Sequence, residues 1–321
     1  MSAPPRFHEQ PACETLIGAA DLHSRLSNPG RPDADRLIVD CRFDLAAPEA
    51  GEAAWRESHL PGAIHAHLDR DLSGPLTPSA GRHPLPEPGR FSATLGRWGV
   101  TPTTQVIAYD ADSGAYASRL WWLMRWVGHR KVAVLDGGFK AWQAAGLPLD
   151  TGLDTGLNAG LSARMPARRA ANDYPVRPDR DAWMDAREVA AALQRADWRL
   201  LDARAPERFA GTVEPIDPIA GHVPGAVNHP FGDSLRPDGR FATAEVLRRR
   251  FEESQRGAAD DHTIVMCGSG VTACHLLLAM NVAGKPGARL YAGSWSEWIR
   301  DPSRPIAKGP GTESLGVLPS S

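Results

Sequence analysis

Little cysteine, no long apolar run and no large net charge mark this chain, and each shortage removes a class of protein. Four cysteines in 321 residues (Cys13, Cys41, Cys267, Cys274) are too few for a disulfide framework and point to a reducing compartment where thiols stay available. Apolar stretches such as Leu276–Met280 fall far short of the roughly 20 residues needed to span a bilayer. The opening MSAPPRFHEQ has neither the apolar core nor the cleavage pattern of a secretory signal. A net charge of −2, from 36 Lys and Arg against 38 Asp and Glu, gives no field that would gather nucleic acid or an anionic membrane. A cytoplasmic protein with neither of those partners is the expectation.

The 42% hydrophobic and 23% charged fractions are those of an ordinary globular protein, and the length suits two domains. The two domains are copies of each other. Arg36-Leu-Ile-Val-Asp-Cys-Arg42 followed by Ser58-His-Leu-Pro-Gly-Ala63 returns as Arg199-Leu-Leu-Asp-Ala-Arg204 followed by Gly221-His-Val-Pro-Gly-Ala226. Leu135-Asp-Gly-Gly-Phe-Lys-Ala-Trp142 is echoed by Leu290-Tyr-Ala-Gly-Ser-Trp-Ser-Glu-Trp298. The repeat distance of about 160 residues exceeds the roughly 20–50 of solenoid repeats, so it marks a duplicated domain.

Each copy predicts the same order of elements. A short apolar strand (Leu37–Asp40; Leu200–Asp202) leads to the His-x-Pro-Gly-Ala turn. A second strand (Gln105–Tyr109; Thr263–Met266) runs into a helix (Tyr116–Trp126; Thr272–Met280), and a third follows (Val132–Leu135; Ala288–Tyr291). Strands alternating with helices imply an α/β fold, each domain a parallel sheet flanked by helices. The boundaries expected are 10–150 for the first domain, 151–172 for a Gly-, Ala- and Arg-rich linker, 173–305 for the second domain and 306–321 for a flexible tail.

Chemistry concentrates in Thr263-Ile-Val-Met-Cys-Gly-Ser-Gly-Val-Thr-Ala-Cys-His275, which reads strand, Gly-rich loop, helix. Ligands bind at the carboxyl ends of strands in open α/β sheets. Gly268 and Gly270 let the loop curl and turn its N–H groups inward, and the helix N-terminus beneath adds partial positive charge. A cysteine in that cradle is stabilised as a thiolate. Free cysteine is more often a small buried hydrophobe, and that reading is kept for Cys274, Cys13 and Cys41, which lack such a loop. The duplication supplies a control: the residue matching Cys267 in the first copy is Asp110, which cannot carry sulfur, so only the second copy is expected to be active. His59/His222 and Arg42/Arg204 occur in both copies, the inert one included, and are read as pins for loops.

With these motifs in hand, the chain resembles the tandem-domain rhodanese and 3-mercaptopyruvate sulfurtransferase family. The resemblance rests on Cys267-Gly-Ser-Gly-Val-Thr272, the His-x-Pro-Gly-Ala turns and Arg119-Leu-Trp-Trp-Leu-Met-Arg-Trp126, and extends over most of residues 10–300. It implies an inactive first rhodanese domain, an active second one, a site at their interface and a persulfide on Cys267 in a ping-pong cycle. Gly268 and Ser269 after the cysteine look like the mercaptopyruvate type, since thiosulfate-preferring members tend to carry basic residues there. By the same resemblance Ser269 helps to activate a thiol or relay a proton, with Asp69 and His83 assisting from the first domain. Arg208 would grip the donor's carboxylate, and Gly268, Gly270, Val271 and Thr272 would line the anion-binding loop. The family's second carboxylate-binding arginine would fall where Ile216 stands, which leaves thiosulfate or another sulfane donor open. The acceptor would be a thiol, such as thioredoxin or a small thiol, or cyanide, and no metal or organic cofactor is expected.

Competing readings fit less well. Gly268-x-Gly270-x-x-Ala273 matches a dinucleotide fingerprint, but no acid follows at Leu290-Tyr-Ala-Gly293. A cysteine-dependent phosphatase wants an arginine at the loop's end, where Thr272 and Ala273 stand. Cys267, Cys274 and His275 lack the paired spacing of zinc ligands. A non-catalytic module that binds an anion or sulfur is the alternative to the enzyme.

Overall fold

The computed structural model describes residues 14–27, 35–152 and 173–311, so Cys13 and most of the expected linker lie outside the described residues. The first sheet comprises β1 (Leu16–Ile17), β2 (Arg36–Asp40), β3 (Ile64–His65), β4 (Gln105–Tyr109) and β5 (Val132–Leu135), all parallel, in the order β1-β5-β4-β2-β3. The second comprises β6 (Trp183–Met184), β7 (Arg199–Asp202), β8 (Val227–Asn228), β9 (Thr263–Met266) and β10 (Arg289–Tyr291), parallel in the matching order β6-β10-β9-β7-β8. The duplication read from the sequence is therefore a duplication of topology.

Side-chain alternation along the central strands gives each sheet two buried faces. Val106 and Ala108 of β4 and Val265 of β9 belong to one apolar cluster that runs between the two sheets. Ile107 and Tyr109 face a second cluster, and Ile264 and Met266 a third, each within its own domain. The helices following β4 (Ala117–Trp126) and β9 (Thr272–Val282) pack against each other in the shared layer. Every residue from Ala273 to Met280 is buried, which is how a helix with apolar residues all round its circumference must sit. Because the loop after β4 and the loop after β9 begin these two helices, both loops are carried to the domain interface.

Polar groups in this layer cross between the domains. The fully buried Arg119 donates from Nη1 to the Gly270 carbonyl at 3.0 Å and from Nη2 to the His83 carbonyl at 3.1 Å. In return His275 donates from Nε2 to the Ser113 carbonyl at 3.1 Å while its ring stacks on Phe241. His275 Nδ1 has no hydrogen-bond partner among the described residues, and burial pushes the imidazole down to about 4. The unfolded chain therefore takes up this proton first as pH falls from about 6.5, and stability declines with it. From pH 7 to pH 5 the loss from His275 alone should be about 2 kcal/mol. Denaturant midpoints for the wild type and His275→Gln should converge at pH 5 relative to their separation at pH 7.

Each domain closes in the same way. His59 forms a backbone bridge with Asp150, and His222 forms one with Ala307. The ring of His59 bonds the Trp55 carbonyl and that of His222 the Phe209 carbonyl, while Arg42 and Arg204 reach the carbonyls of Ser58 and Gly221. Those four residues pin loops. Residues 306–309, assigned to the tail on composition, are held by the bridge at Ala307 and by the Gly309 amide donating to the Ala210 carbonyl. The Lys-Gly-Pro-Gly composition reads as a tail, yet the Gly309 amide is held at the end of the helix Pro206–Ala210. No helix among the described residues is long and apolar enough to cross a membrane.

Candidate active site

The loop after β9 folds around its own cysteine. Cys267 is buried, and the Gly270 amide donates to its Sγ at 3.1 Å. Gly270 has φ +76°, and a Cβ there would run into the carbonyl oxygen of Ala292, so only glycine completes the curl. The amides of Ser269 and Val271 have no hydrogen bond to the described residues, which leaves them available to an anion at the cysteine. From behind, the segment beginning the helix Ser294–Trp298 clamps the loop. Ser294 Oγ accepts from the Cys267 amide at 3.0 Å, and the amides of Trp295 and Ser296 donate to the carbonyls of Cys267 and Gly268.

In the first copy the equivalent cradle is filled by its own side chain. The carboxylate of Asp110 accepts from the amides of Gly114, Tyr116 and Ala117 at 2.8–3.1 Å. The Asp110 carboxyl, which burial pushes up against the pull of these hydrogen bonds, thus occupies the turn of backbone that matches the loop of Cys267.

Residues 81–83 of the first domain reach across into the second. Gly81 lies so close to Gly293 that a Cβ would strike its carbonyl oxygen, and the Arg82 amide donates to Ser296 Oγ at 3.0 Å. This approach places His83 Nδ1 2.7 Å from Ser269 Oγ, with His83 Nε2 3.4 Å from the Asp69 carboxylate on its other side. The contact with His83 holds the Asp69 carboxyl below its usual range, so it acts only as an acceptor. Burial pushes the His83 imidazole below its ordinary value against the pull of Asp69, leaving it neutral at pH 7. A neutral ring facing a carboxylate through Nε2 carries its proton there, so Nδ1 accepts and the Ser269 hydroxyl donates. Asp69, His83 and Ser269 form a line along which a proton can move.

These side chains surround a cavity of about 190 Å3 lined by Arg82 and His83 from the first domain and by Arg204, Arg208, Cys267 and Ser269 from the second, among others. Arg208 donates from Nε and Nη2 to Glu214 and from Nη2 to Asp217 at 3.1 Å, and Arg82 pairs with Asp217 through Nη1. Burial pushes the Asp217 carboxyl up, despite the two guanidinium groups beside it. Burial also works to raise Glu214, but hydrogen bonds from Arg208 and from the amides of Asp217 and Ile216 together hold its carboxyl below the usual range.

Of the residues singled out in the sequence, His83, Arg208, Cys267, Gly268, Ser269, Val271 and Thr272 line this cavity. Asp69 stands behind His83, and Gly270, which is not among the lining residues, points its amide at Cys267 Sγ, its carbonyl at Arg119 and its Cα at Ala292. Cys274 is wholly buried in its helix, its thiol pushed up to about 12 by burial, and Cys41 is buried in the first domain. Ile216 is exposed and is not among the lining residues. Sequence reasoning missed Arg82, Arg119, Glu214 and Asp217. The only local signal was that Arg82 adjoins His83, and that Glu214 and Asp217 flank Ile216.

Known proteins share this fold and its duplication. The family model for the rhodanese-like domain matches twice, over residues 19–145 and 185–301. The chain is 47% identical over 296 residues to a protein of Pseudomonas aeruginosa named probable 3-mercaptopyruvate sulfurtransferase, covering 92% of this chain and 98% of that one. It is 37% identical over 297 residues to the putative thiosulfate sulfurtransferase SseB of Mycobacterium tuberculosis, with the same coverage of each chain. Among solved structures, 3-mercaptopyruvate sulfurtransferase from Leishmania major superposes with a TM-score of 0.74 at 29% identity, covering 89% of this chain and 74% of that one. The chain belongs to the rhodanese family, as a tandem-domain sulfurtransferase.

Proposed function

We propose that this rhodanese takes sulfur from 3-mercaptopyruvate, holds it as a persulfide on Cys267 and passes it to a thiol acceptor or cyanide. The observation that carries the choice of donor is the 2.7 Å contact between His83 and Ser269 beside the cysteine. Thiosulfate delivers its outer sulfur with no proton to move, since the leaving sulfite departs as an anion. A mercapto acid brings a thiol proton that must be removed and a carbon that must be protonated. A neutral histidine, oriented by Asp69 and accepting from Ser269, is a device for that second task and idle in the first.

In this mechanism the Cys267 thiolate attacks the donor's sulfur. The S–S bond forms, the C–S bond breaks, and the electron pair stays on carbon as the enolate of pyruvate. The donor's thiol proton passes through Ser269 to His83 and returns to that carbon, leaving pyruvate and an anionic persulfide. The amides of Ser269, Gly270 and Val271 stabilise the outer sulfur's charge, as Asp110 is held by its own loop in the first copy. An acceptor thiolate then attacks the outer sulfur, leaves as its own persulfide and restores Cys267. Arg208, with the loop residues Gly268 and Thr272, positions the anionic donor.

The test is intact-protein mass after brief exposure to each donor separately. One added sulfur atom is expected from both, reached sooner with 3-mercaptopyruvate. Faster loading from thiosulfate would overturn the choice of donor. No gain from either would point to a non-catalytic module that binds an anion.

A further inference from the structure

The carboxylate that orients His83 is itself held from behind by a second histidine. Asp69 sits in a single turn of helix, Leu68–Asp71, and its side chain is half exposed, so packing alone does not fix where it points. The residue that caps this turn is His67, which is buried with its ring edge-on to Phe43 at 5.2 Å. Its Nδ1 accepts from the amides of Asp69 and Arg70 at 3.2 and 3.4 Å, and its own amide donates to Asp71 Oδ2 at 2.9 Å. A neutral ring that accepts through Nδ1 carries its proton on Nε2. His67 Nε2 is buried with no hydrogen bond to the described residues, and the carboxylate nearest to it is that of Glu49, at 3.6 Å. Glu49 in turn lies 3.7 Å from Arg70 Nη1. The two histidines repeat one arrangement, with Nε2 toward a carboxylate and Nδ1 accepting. Asp69 links them, by its amide to the first ring and by its carboxylate to the second.

We infer that His67 is a positioning residue for sulfur transfer, which fixes the backbone of Asp69 and so sets the alignment of its carboxylate with His83. This rests on the reading above that Asp69, His83 and Ser269 carry the proton of a mercapto acid. One turn of helix is not self-supporting, so its cap is a large part of what holds it. The usual caps are Ser, Thr, Asp and Asn; here an imidazole serves two amides through one nitrogen while its ring fills the space beside Phe43. Without that nitrogen the turn can tilt, and Asp69 loses its place 3.4 Å from His83 Nε2. The result reaches the chemistry through His83. Burial pushes its imidazole down, Arg119 and Arg82 nearby add to that, and Asp69 opposes them. A displaced Asp69 leaves His83 lower still and poorly oriented toward Ser269.

The test is steady-state turnover by the full-length protein across the acid pH range, with 3-mercaptopyruvate and with thiosulfate. His67→Ala should lower kcat for 3-mercaptopyruvate roughly tenfold to a hundredfold with little change in KM, and spare thiosulfate. The acid limb of the 3-mercaptopyruvate profile should move to lower pH, because the support of Asp69 is withdrawn from His83. His67→Asn, whose side-chain carbonyl can cap the same turn, should restore most of kcat and return the limb. Should the alanine variant not fold, His67→Leu, which fills the space beside Phe43 but offers no acceptor, makes the same comparison. Asp69→Ala should reproduce the shifted limb, and adding His67→Ala to it should change little more, as expected of residues acting in series. Equal loss for both donors with an unmoved limb would assign His67 to stability alone and overturn the inference, as would full additivity of the two substitutions. A wild type in which His83→Ala impairs both donors equally would instead overturn the proton line on which the inference rests.

Discussion

Replacing Cys267 with serine is expected to abolish sulfur transfer from every donor, a loss of more than about 1000-fold, while the fold stays intact. Serine fits the space of the buried thiol, and its hydroxyl can accept from the Gly270 amide as Sγ does. The change in stability should therefore stay within about 1 kcal/mol. Among the described residues no second thiol can take over. Cys274 is held to the Gly270 carbonyl at 3.3 Å, wholly buried, with its thiol pushed up to about 12. Cys41 is buried in the other domain, and burial, with Asp40 nearby, pushes its thiol far up. The measurement is donor consumption together with intact mass; turnover near the wild-type rate in the serine variant would remove Cys267 from the mechanism.

Much of this arrangement is legible in the sequence because duplication writes it twice. The three central strands of each sheet are visible as runs of buried, largely β-branched or apolar residues, and the expected bounds agree with β4, β5 and β9 residue for residue. The outer strands β1, β3, β6 and β8 are two residues long, too short for alternation to register, so five-stranded sheets are read as three. Cys267 is legible because its loop is local in sequence. Arg82 is not, because its meaning depends on Gly81 meeting Gly293 across more than two hundred residues of chain. Arg119 is visible within a Trp-rich helix, but nothing local shows that its guanidinium would bind the Gly270 carbonyl of the other domain.

The two loops show how the two domains divide their roles at the interface. In the first domain Asp110 fills the turn that matches the loop of Cys267 in the second. The first domain supplies His83, Arg82 and the buried Arg119 to the site of the other domain, and receives His275 against its own loop in exchange. In the proposed mechanism activity belongs to the interface, and a second domain expressed alone would keep Cys267 and Arg208 but lose the proton line.

That line carries the second large effect. His83→Ala should lower turnover of 3-mercaptopyruvate by about 100-fold to 10,000-fold and leave turnover of thiosulfate little changed. The backbone there is secured independently of the side chain, since Arg119 binds the His83 carbonyl and Ser296 the Arg82 amide, so the loss is one of proton transfer rather than of position. The pH profile gives a second reading. Burial keeps His83 neutral below the ordinary histidine value, so its acid limb falls below pH 6.5. As pH falls through that depressed value, a proton occupies Nδ1, the atom to which Ser269 donates, and turnover of the mercapto acid declines. Turnover of thiosulfate should lack this limb, and His83→Ala should remove it from what mercapto-acid turnover remains. A variant that loses both donors by the same factor, with no change in either profile, would show that His83 only supports the loop and that Ser269 moves its proton by another route.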